Sequence, residues 1–449
     1  MKAYRDTKDC DIEWIGKIPR HWIITKIKYC SYVKGRVGWQ GLRFEEFIDH
    51  GPYLITGTDF ENGKINWQKC YHVEEWRYDQ DPYIQIQNSD LLITKDGTIG
   101  KVALVEKMPK PSTLNAGIMV IRPEKNIYLP KFMFWVLNSY MFNQYIEYTK
   151  RGSTIGHLYQ ETFENFVFAL PENLREQEDI IEFIDNKIKK LDKYVNVRQK
   201  LIELLKEKRQ VLLDQVMFKG LDVYANIKNS GIEWIGEVPI HWDVAKIKRY
   251  SSKIGSGITP RGGSEVYVNE GIPLIREQNV KFNGLDLEEV VYITPQMHDE
   301  MNDTKLREGD VLLNITGASL GRCSIVPSGF GEGNVNQHVS IIRPTGALNP
   351  KFLYYYLSTN PIQFFLYAIQ VGASRQGLTF EDISNLHILI PPHEEQKEIV
   401  VYLNRIIDNI NRIIKNIDTQ IKKIEEYRTS LIFSAISGKI DVRKQVVMQ

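Results

Sequence analysis

Cysteine is scarce in this chain. The four present, Cys10, Cys30, Cys70 and Cys323, fall at scattered positions in 449 residues, with neither metal-ligand spacing nor a disulfide framework. That excludes a disulfide-stapled secreted fold and a zinc ribbon, and predicts a reduced, cytoplasmic protein. Long apolar runs are lacking too: none approaches the roughly 18 residues of a membrane span. The opening MKAYRD has no signal-peptide apolar region, so no membrane association is expected. Nor does either sign of charge dominate. The 57 Lys and Arg against 56 Asp and Glu leave a net charge of +1, which argues against a protein that coats nucleic acid non-specifically. Local basic surfaces balanced by acidic ones elsewhere remain compatible with it.

The usual constellations of an enzyme are absent as well. The Asn/Asp-Pro-Pro-aromatic signature of amino-methyltransferases is not found; Asp81-Pro82-Tyr83 has a single proline. Gly97-Thr98-Ile99-Gly100-Lys101 has the look of a phosphate loop, but its glycines are too close and no Ser or Thr follows the lysine. It reads better as a tight glycine turn between two strands. The nine histidines form no paired metal motif. No active site, metal or cofactor is expected on this chain.

What is present is an internal duplication. Residues 11–22 (DIEWIGKIPRHW) return as 231–242 (GIEWIGEVPIHW), and 90–101 (DLLITKDGTIGK) as 310–322 (DVLLNITGASLGR). Likewise 115–123 (NAGIMVIRP) matches 336–344 (NQHVSIIRP), and 129–137 (LPKFMFWVL) matches 349–357 (NPKFLYYYL). A period of about 220 residues is too long for a solenoid unit and means a whole domain written twice. At 43% hydrophobic and 25% charged residues, each copy can build a globular core.

Within each copy, short runs rich in Val, Ile, Leu and Tyr, at 52–55, 90–94, 118–121, 290–293 and 339–342, predict strands of a mixed α/β globule. One helix is expected from Pro130 to about Tyr148, with its counterpart from Pro350 to about Ala368, kinked or split at Pro361. The recurrent histidines His21 and His241, and Trp14, Trp22, Trp234 and Trp242, suit packed, hydrogen-bonded anchors better than catalysis.

Each copy ends in the strongest periodic signal of the chain. Positions stepping by three and four, apolar except for Arg198, Arg209 and Arg428, run from Ile181 to Val216 and from Val400 to Ala435. Ile184, Ile188, Leu191, Val195 and Leu205 mark one seam, and Leu403, Ile407, Ile410, Ile414 and Ile421 the other. Sustained 3–4 spacing predicts coiled-coil helices of about 65 Å at 1.5 Å per residue. Asn173 with Glu176 reads as a capping box at the first start, and Pro391-Pro392 marks the second. Such long apolar stripes need cover. An antiparallel intramolecular pair is favoured because the seams match in length. That arrangement returns the C-terminus to the first globule.

With no chemistry to assign, polar side chains in Gly-rich loops become the candidates for a surface that reads DNA bases. Arg pairs bidentately with guanine, and Asn or Gln with adenine. Copy one offers Arg36, Gln40, Lys95, Lys101, Arg151, Ser153 and His157. Copy two offers Thr259, Arg261, Arg276, Gln278, Asn279, Arg322, Gln337, Arg375 and Gln376. Any one of these could be a solvated loop residue; their clustering in matching loops raises the group above its members.

Taken together, the chain resembles the specificity (S) subunits of type I restriction–modification systems over nearly its whole length. Residues 4–22 and 224–242 look like the family's opening motif. Gly257-Ile258-Thr259-Pro260, Gly377-Leu378-Thr379-Phe380 and Pro391-Pro392-His393-Glu394-Glu395-Gln396 look like its recurrent domain and helix-start motifs. Copy one departs where Gly38-Trp39-Gln40-Gly41 stands in place of Gly-x-Thr-Pro and Tyr159 in place of Thr379. The resemblance implies two tandem α/β target-recognition domains, each followed by a spacer helix, the helices pairing as an antiparallel coiled coil. The layout is domain one over 1–172, helix one over 173–218, a linker over 219–230, domain two over 231–391, helix two over 392–438 and a tail over 439–449. It also implies a non-catalytic subunit that reads an asymmetric bipartite site on double-stranded DNA. Two methyltransferase subunits, which carry S-adenosylmethionine, would dock on it, and restriction subunits could join them. An orphan or decoy DNA-binding scaffold, or the specificity arm of a type II enzyme, are the alternatives.

Overall fold

Period-two burial explains the sheets. In the run LLIT, Leu91 and Ile93 enter one hydrophobic cluster while Leu92 enters another, so the strand is covered on both faces. Val311 and Leu313 part from Leu312 in the same way in the second copy. The computed structural model describes residues 2–10, 14–36, 42, 44–150, 156–260, 262–370 and 377–443. It divides into unit 1, Met1–Arg198 with Asp418–Gln449, and unit 2, Gln199–Ile417.

In unit 1 a four-stranded antiparallel sheet runs in the order Val102–Leu104, Leu91–Thr94, Ile118–Pro123, Ser31–Gly35. A second sheet pairs Ile48–Ile55 in parallel with Ser112–Leu114 and antiparallel with Tyr71–His72. Trp22–Lys26 pairs with Val167–Pro171. In unit 2 the corresponding order is Cys323–Ile325, Val311–Asn314, Val339–Pro344, Ser251–Ser256. Ile272–Ile275 pairs in parallel with Asn334–Val335, and Asp243–Lys246 with His387–Ile390. The recurrent motifs hold this topology: Arg122 grips Asp90 through two bonds of 2.7 and 2.9 Å, and Arg343 grips Asp310 at 2.7 and 2.8 Å. Asp90 and Asp310 are buried, so each charge needs its bidentate partner; burial still pushes the Asp90 carboxyl above its ordinary range.

The helix expected from Pro130 to about Tyr148 is two helices, Pro130–Leu137 and Tyr140–Lys150, and its counterpart is Pro350–Leu357 and Asn360–Gln370. The second splits beside Pro361 as expected, but the first breaks without a proline, so Pro361 alone is not the cause. The breaking residues are Ser139 and Thr359, whose hydroxyls turn back to the carbonyls of Val136 and Tyr356 and compete with the helical ladder.

The long helices span Leu174–Lys219 and His393–Ile436, and each contributes one half to each unit. Within unit 2, Arg209 donates to Asn411 at 2.7 Å, and Gly220 lies against Glu395, so the helix segments run antiparallel there. Within unit 1, Arg428 donates to Asp192 at 2.9 Å, and Gly438 lies against Trp22, which itself bonds Glu176. Ile184, Ile188, Leu403 and Ile410 are buried, while Leu191, Val195, Leu205, Ile407, Ile414 and Ile421 are half-buried. Both helices stop at a left-handed glycine, Gly220 (φ 76°) and Gly438 (φ 70°).

Two segments expected to be connectors take part in the fold. Ile227–Asn229, inside the expected linker, pairs with Glu237–Pro239 as Thr7–Asp9 pairs with Lys17–Pro19. In the tail, Val442 is fully buried and the Asp441 N–H donates to the Lys2 carbonyl at 2.8 Å.

Candidate nucleic-acid interface

The opening motif and the helix-start motif prove to be two halves of one anchor. Trp22 is fully buried, and its indole N–H donates to Glu176 at 3.1 Å. Tyr4 donates to the same carboxylate at 2.6 Å, and His21 Nε2 meets it at 2.8 Å. Glu395 gathers Trp242 and His241 at 3.1 and 2.8 Å in unit 2. The expected capping box is therefore corrected: Asn173 does cap the N–H of Arg175, but Glu176 is committed to the opening segment. The neighbouring glutamines, Gln177 and Gln396, are fully buried and each tie three backbone groups together. His21, His241, Trp22 and Trp242 are thus hydrogen-bonded anchors, whereas Trp14 and Trp234 pack only by their rings, against Tyr145 and Phe365, and the Trp14 indole N–H has no partner.

The loops at one end of each main sheet carry the exposed polar groups. In unit 2 the Thr259 hydroxyl donates to Gln337 Oε1 at 2.5 Å. Gln337 Nε2 lies 2.9 Å from His338 Nε2, and His338 Nδ1 lies 2.6 Å from the Thr316 hydroxyl. Four side chains from three loops thus form one relay that fixes the amide of Gln337, itself exposed. Beside it, Asn336 donates to Glu277 at 2.9 Å, which brings in the loop carrying Arg276 and Gln278. Gly257 is required here, because a Cβ would sit 1.7 Å from the Val335 carbonyl oxygen.

Of the other expected residues in unit 2, Gln278 is exposed on this rim, and Arg276 lies with its guanidinium 5.9 Å from the Tyr267 ring centre. Asn279 does not face solvent. It is 1% exposed and closes its own turn, accepting from the Arg276 N–H and donating to the Asp286 carbonyl. Arg322 is elsewhere too, lining a cleft with Arg209, Lys281 and Lys351.

Unit 1 is built differently at the matching rim. Ala116 and Gly117 stand where unit 2 has Gln337 and His338. His157 pairs through Nδ1 with Asp96, and its ring packs edge-on against exposed Tyr159 at 4.6 Å. Tyr159 is the N-cap of its short helix without a capping side-chain bond, where Thr379 makes a full capping box. Lys95 is half-buried and Lys101 exposed. Arg36 is 1% exposed, its Nε donating to the Leu114 carbonyl at 2.8 Å. Strand register places it at the position of Gly257, so it turns inward and is unavailable to a base. Gln40, Arg151, Ser153, Arg261, Arg375 and Gln376 lie outside the described residues. Glu277, Thr316, His338 and Asp96 also belong to these rims; in the sequence only His338 carries a signal, its place beside Gln337 in the recurrent Asn336 motif.

The fold and its rims define a duplicated recognition protein: two copies of one scaffold with unlike polar surfaces at matching loops. The model of the type I restriction modification DNA specificity domain matches residues 36–204 and again 241–423. The chain belongs to that family and carries its domain twice. It is 25% identical over 440 residues to a putative type I restriction enzyme MjaX specificity subunit of Methanocaldococcus jannaschii, covering 96% of each chain. To the EcoBI specificity subunit of Escherichia coli it is 23% identical, covering 87% of this chain and 80% of that one. Among solved structures, a chain from a study of assembly and conformational transition of the type I R-M system superposes with a TM-score of 0.72 at 17% identity, over 94% of this chain and 99% of that one. The HsdS subunit from Thermoanaerobacter tengcongensis gives 0.53 at 17% identity, over 94% and 98%. Among the described residues no helix is long and apolar enough to cross a membrane, and no group of His, Cys, Asp or Glu could hold a metal ion.

Proposed function

We propose that this chain is the non-catalytic reader of a type I restriction–modification complex, recognising an asymmetric bipartite sequence in double-stranded DNA. One observation carries the reading: the same DNA specificity domain occurs twice with different rim chemistry, Thr259–Gln337–His338–Thr316 in unit 2 against Asp96–His157 in unit 1. Two unlike readers on one chain select two unlike half-sites. Gln337, held at both ends of its amide, is the candidate for reading an adenine edge. Gln278 and Arg276 flank it. Methyltransferase subunits carrying S-adenosylmethionine would dock on the long helices, two of them by the two-fold repetition, and restriction subunits could join. Its work would lie in the cytoplasm with the host genome.

Co-expression with the cognate methyltransferase subunit, followed by mapping of modified bases in host DNA, tests this. Exchanging residues 243–390 for the same segment of another family member is expected to change one half of the modified motif only. If both halves change together, the two-reader model fails. Gln337→Ala is expected to relax a single base position, a loss of about 1–3 kcal/mol of discrimination, and His338→Phe to have a weaker effect at that same position. A uniform weakening at all positions would make Gln337 a backbone contact.

A further inference from the structure

The two copies differ in one more place, away from the rims. In unit 2 a cleft of about 780 Å³ opens among Arg209, Lys281, Arg322 and Lys351, with the aromatic ring of Tyr354 in its wall. That volume is typical of a small-molecule site. All four cations are half-buried. Lys281, Arg322 and Lys351 form no ion pair among the described residues, and Arg209 meets only the neutral amide of Asn411. Asp408 is the sole carboxylate in the lining. The buried hydroxyl of Ser324, also in the lining, has no hydrogen-bond partner.

Unit 1 provides the internal control. Its counterpart of Arg209, Arg428, meets the carboxylate of Asp192 at 2.9 Å. Its counterpart of Lys351, Lys131, lies 3.8 Å from Asp185. The position of Lys281 is held by Glu61, each being the second residue of a two-residue strand. Where unit 1 neutralises its cations with carboxylates, unit 2 has Asn404, Asn411 and a further lysine. Half-buried like charges left facing one another are unfavourable without a counter-charge. Guanidinium and ammonium groups lining one cleft without carboxylate partners suit the oxygens of a phosphate.

We propose that this cleft of unit 2 is a binding site for a phosphate-bearing ligand, held by Arg209, Lys281, Arg322 and Lys351. The phosphate has two sources, a free nucleotide or the backbone of bound DNA, and the volume suits a whole nucleotide. On the purified full chain, tripolyphosphate titrated at constant ionic strength is expected to raise the unfolding midpoint saturably. The double variant Lys281→Gln/Arg322→Gln should weaken that response at least about tenfold. In unit 1, Lys131→Gln, at the position of Lys351, should leave it unaltered, and Arg322→Lys should retain most of it. The variants' unfolding midpoints without ligand report their folding. ATP that binds additively with a DNA duplex identifies a nucleotide site. Competition between the two, with a salt slope for DNA lowered by about two in the double variant and an unchanged base preference, identifies a backbone phosphate. The proposal is overturned by no saturable response to tripolyphosphate, or by an equal response in the double variant.

Discussion

Removing the Glu176 carboxylate tests the anchor that ties the opening motif to the first long helix. In Glu176→Ala, Tyr4 and Trp22 lose the acceptor for donors that are buried, while half-exposed His21 turns to water. Each orphaned buried donor costs about 1–3 kcal/mol, so about 3–5 kcal/mol is expected once the lost packing is added. For a body of this size that lowers the unfolding midpoint by about 10 °C. The second copy calibrates the argument. The Glu395 side chain is 22% exposed against 6% for Glu176, and it holds two donors rather than three. Glu395→Ala is accordingly expected to cost about half as much. The tyrosines give a sharper contrast, since they recur in the sequence and differ in place. Tyr4 is 7% exposed and bonded to Glu176, whereas Tyr224 is 92% exposed. Tyr4→Phe should cost about 1–2 kcal/mol and Tyr224→Phe nothing measurable. Thermal unfolding of the four variants by calorimetry or circular dichroism is the assay. Equal losses for the two tyrosine variants, or a larger loss for Glu395→Ala than for Glu176→Ala, would refute the reasoning.

Two more predictions concern the thiols and the termini. Burial pushes the thiols of Cys30, Cys70 and Cys323 up, that of Cys323 to about 12, so at pH 8 only about one in ten thousand Cys323 side chains is thiolate. A disulfide reagent should leave these three unmodified in the native protein and titrate all four cysteines after denaturation; rapid native labelling of any of the three would contradict their placement. The backbone bond from Asp441 to Lys2 also brings the first and last described segments of the chain together. A circular permutant that joins them and opens between exposed Val223 and Tyr224 should fold, with a midpoint within a few degrees of the parent. Loss of the cooperative transition would show that the turn after Gly220 is needed intact.

The duplication and the long helices were legible because they are written in signals that survive substitution: a period of about 220 residues, and apolar steps of three and four. The bonds that explain the motifs were not. Glu176 lies three residues after a good N-cap, which is the spacing of a capping box. What decides its fate is the arrival of Tyr4, His21 and Trp22 from 154 to 172 residues away, and no local pattern records that. Arg and Asn in Gly-rich loops usually face solvent, which is what the sequence suggests for Arg36 and Asn279. Each instead satisfies backbone groups inside a turn or sheet edge, a role open to any long or amide side chain and therefore without a signature. The Asp90–Arg122 and Asp310–Arg343 pairs show the complementary case, in which recurrence itself marked the residues but could not say that they faced each other. Where the copies differ, as at Ala116 against Gln337 or Asp192 against Asn411, repetition gives no guidance. Those are the positions free to take on separate roles, because the topology common to both units is already held by Asp90, Arg122, Trp22, Glu176 and Gln177 and by their counterparts. Under the two-reader proposal, selectivity would reside in the residues that the duplication did not preserve.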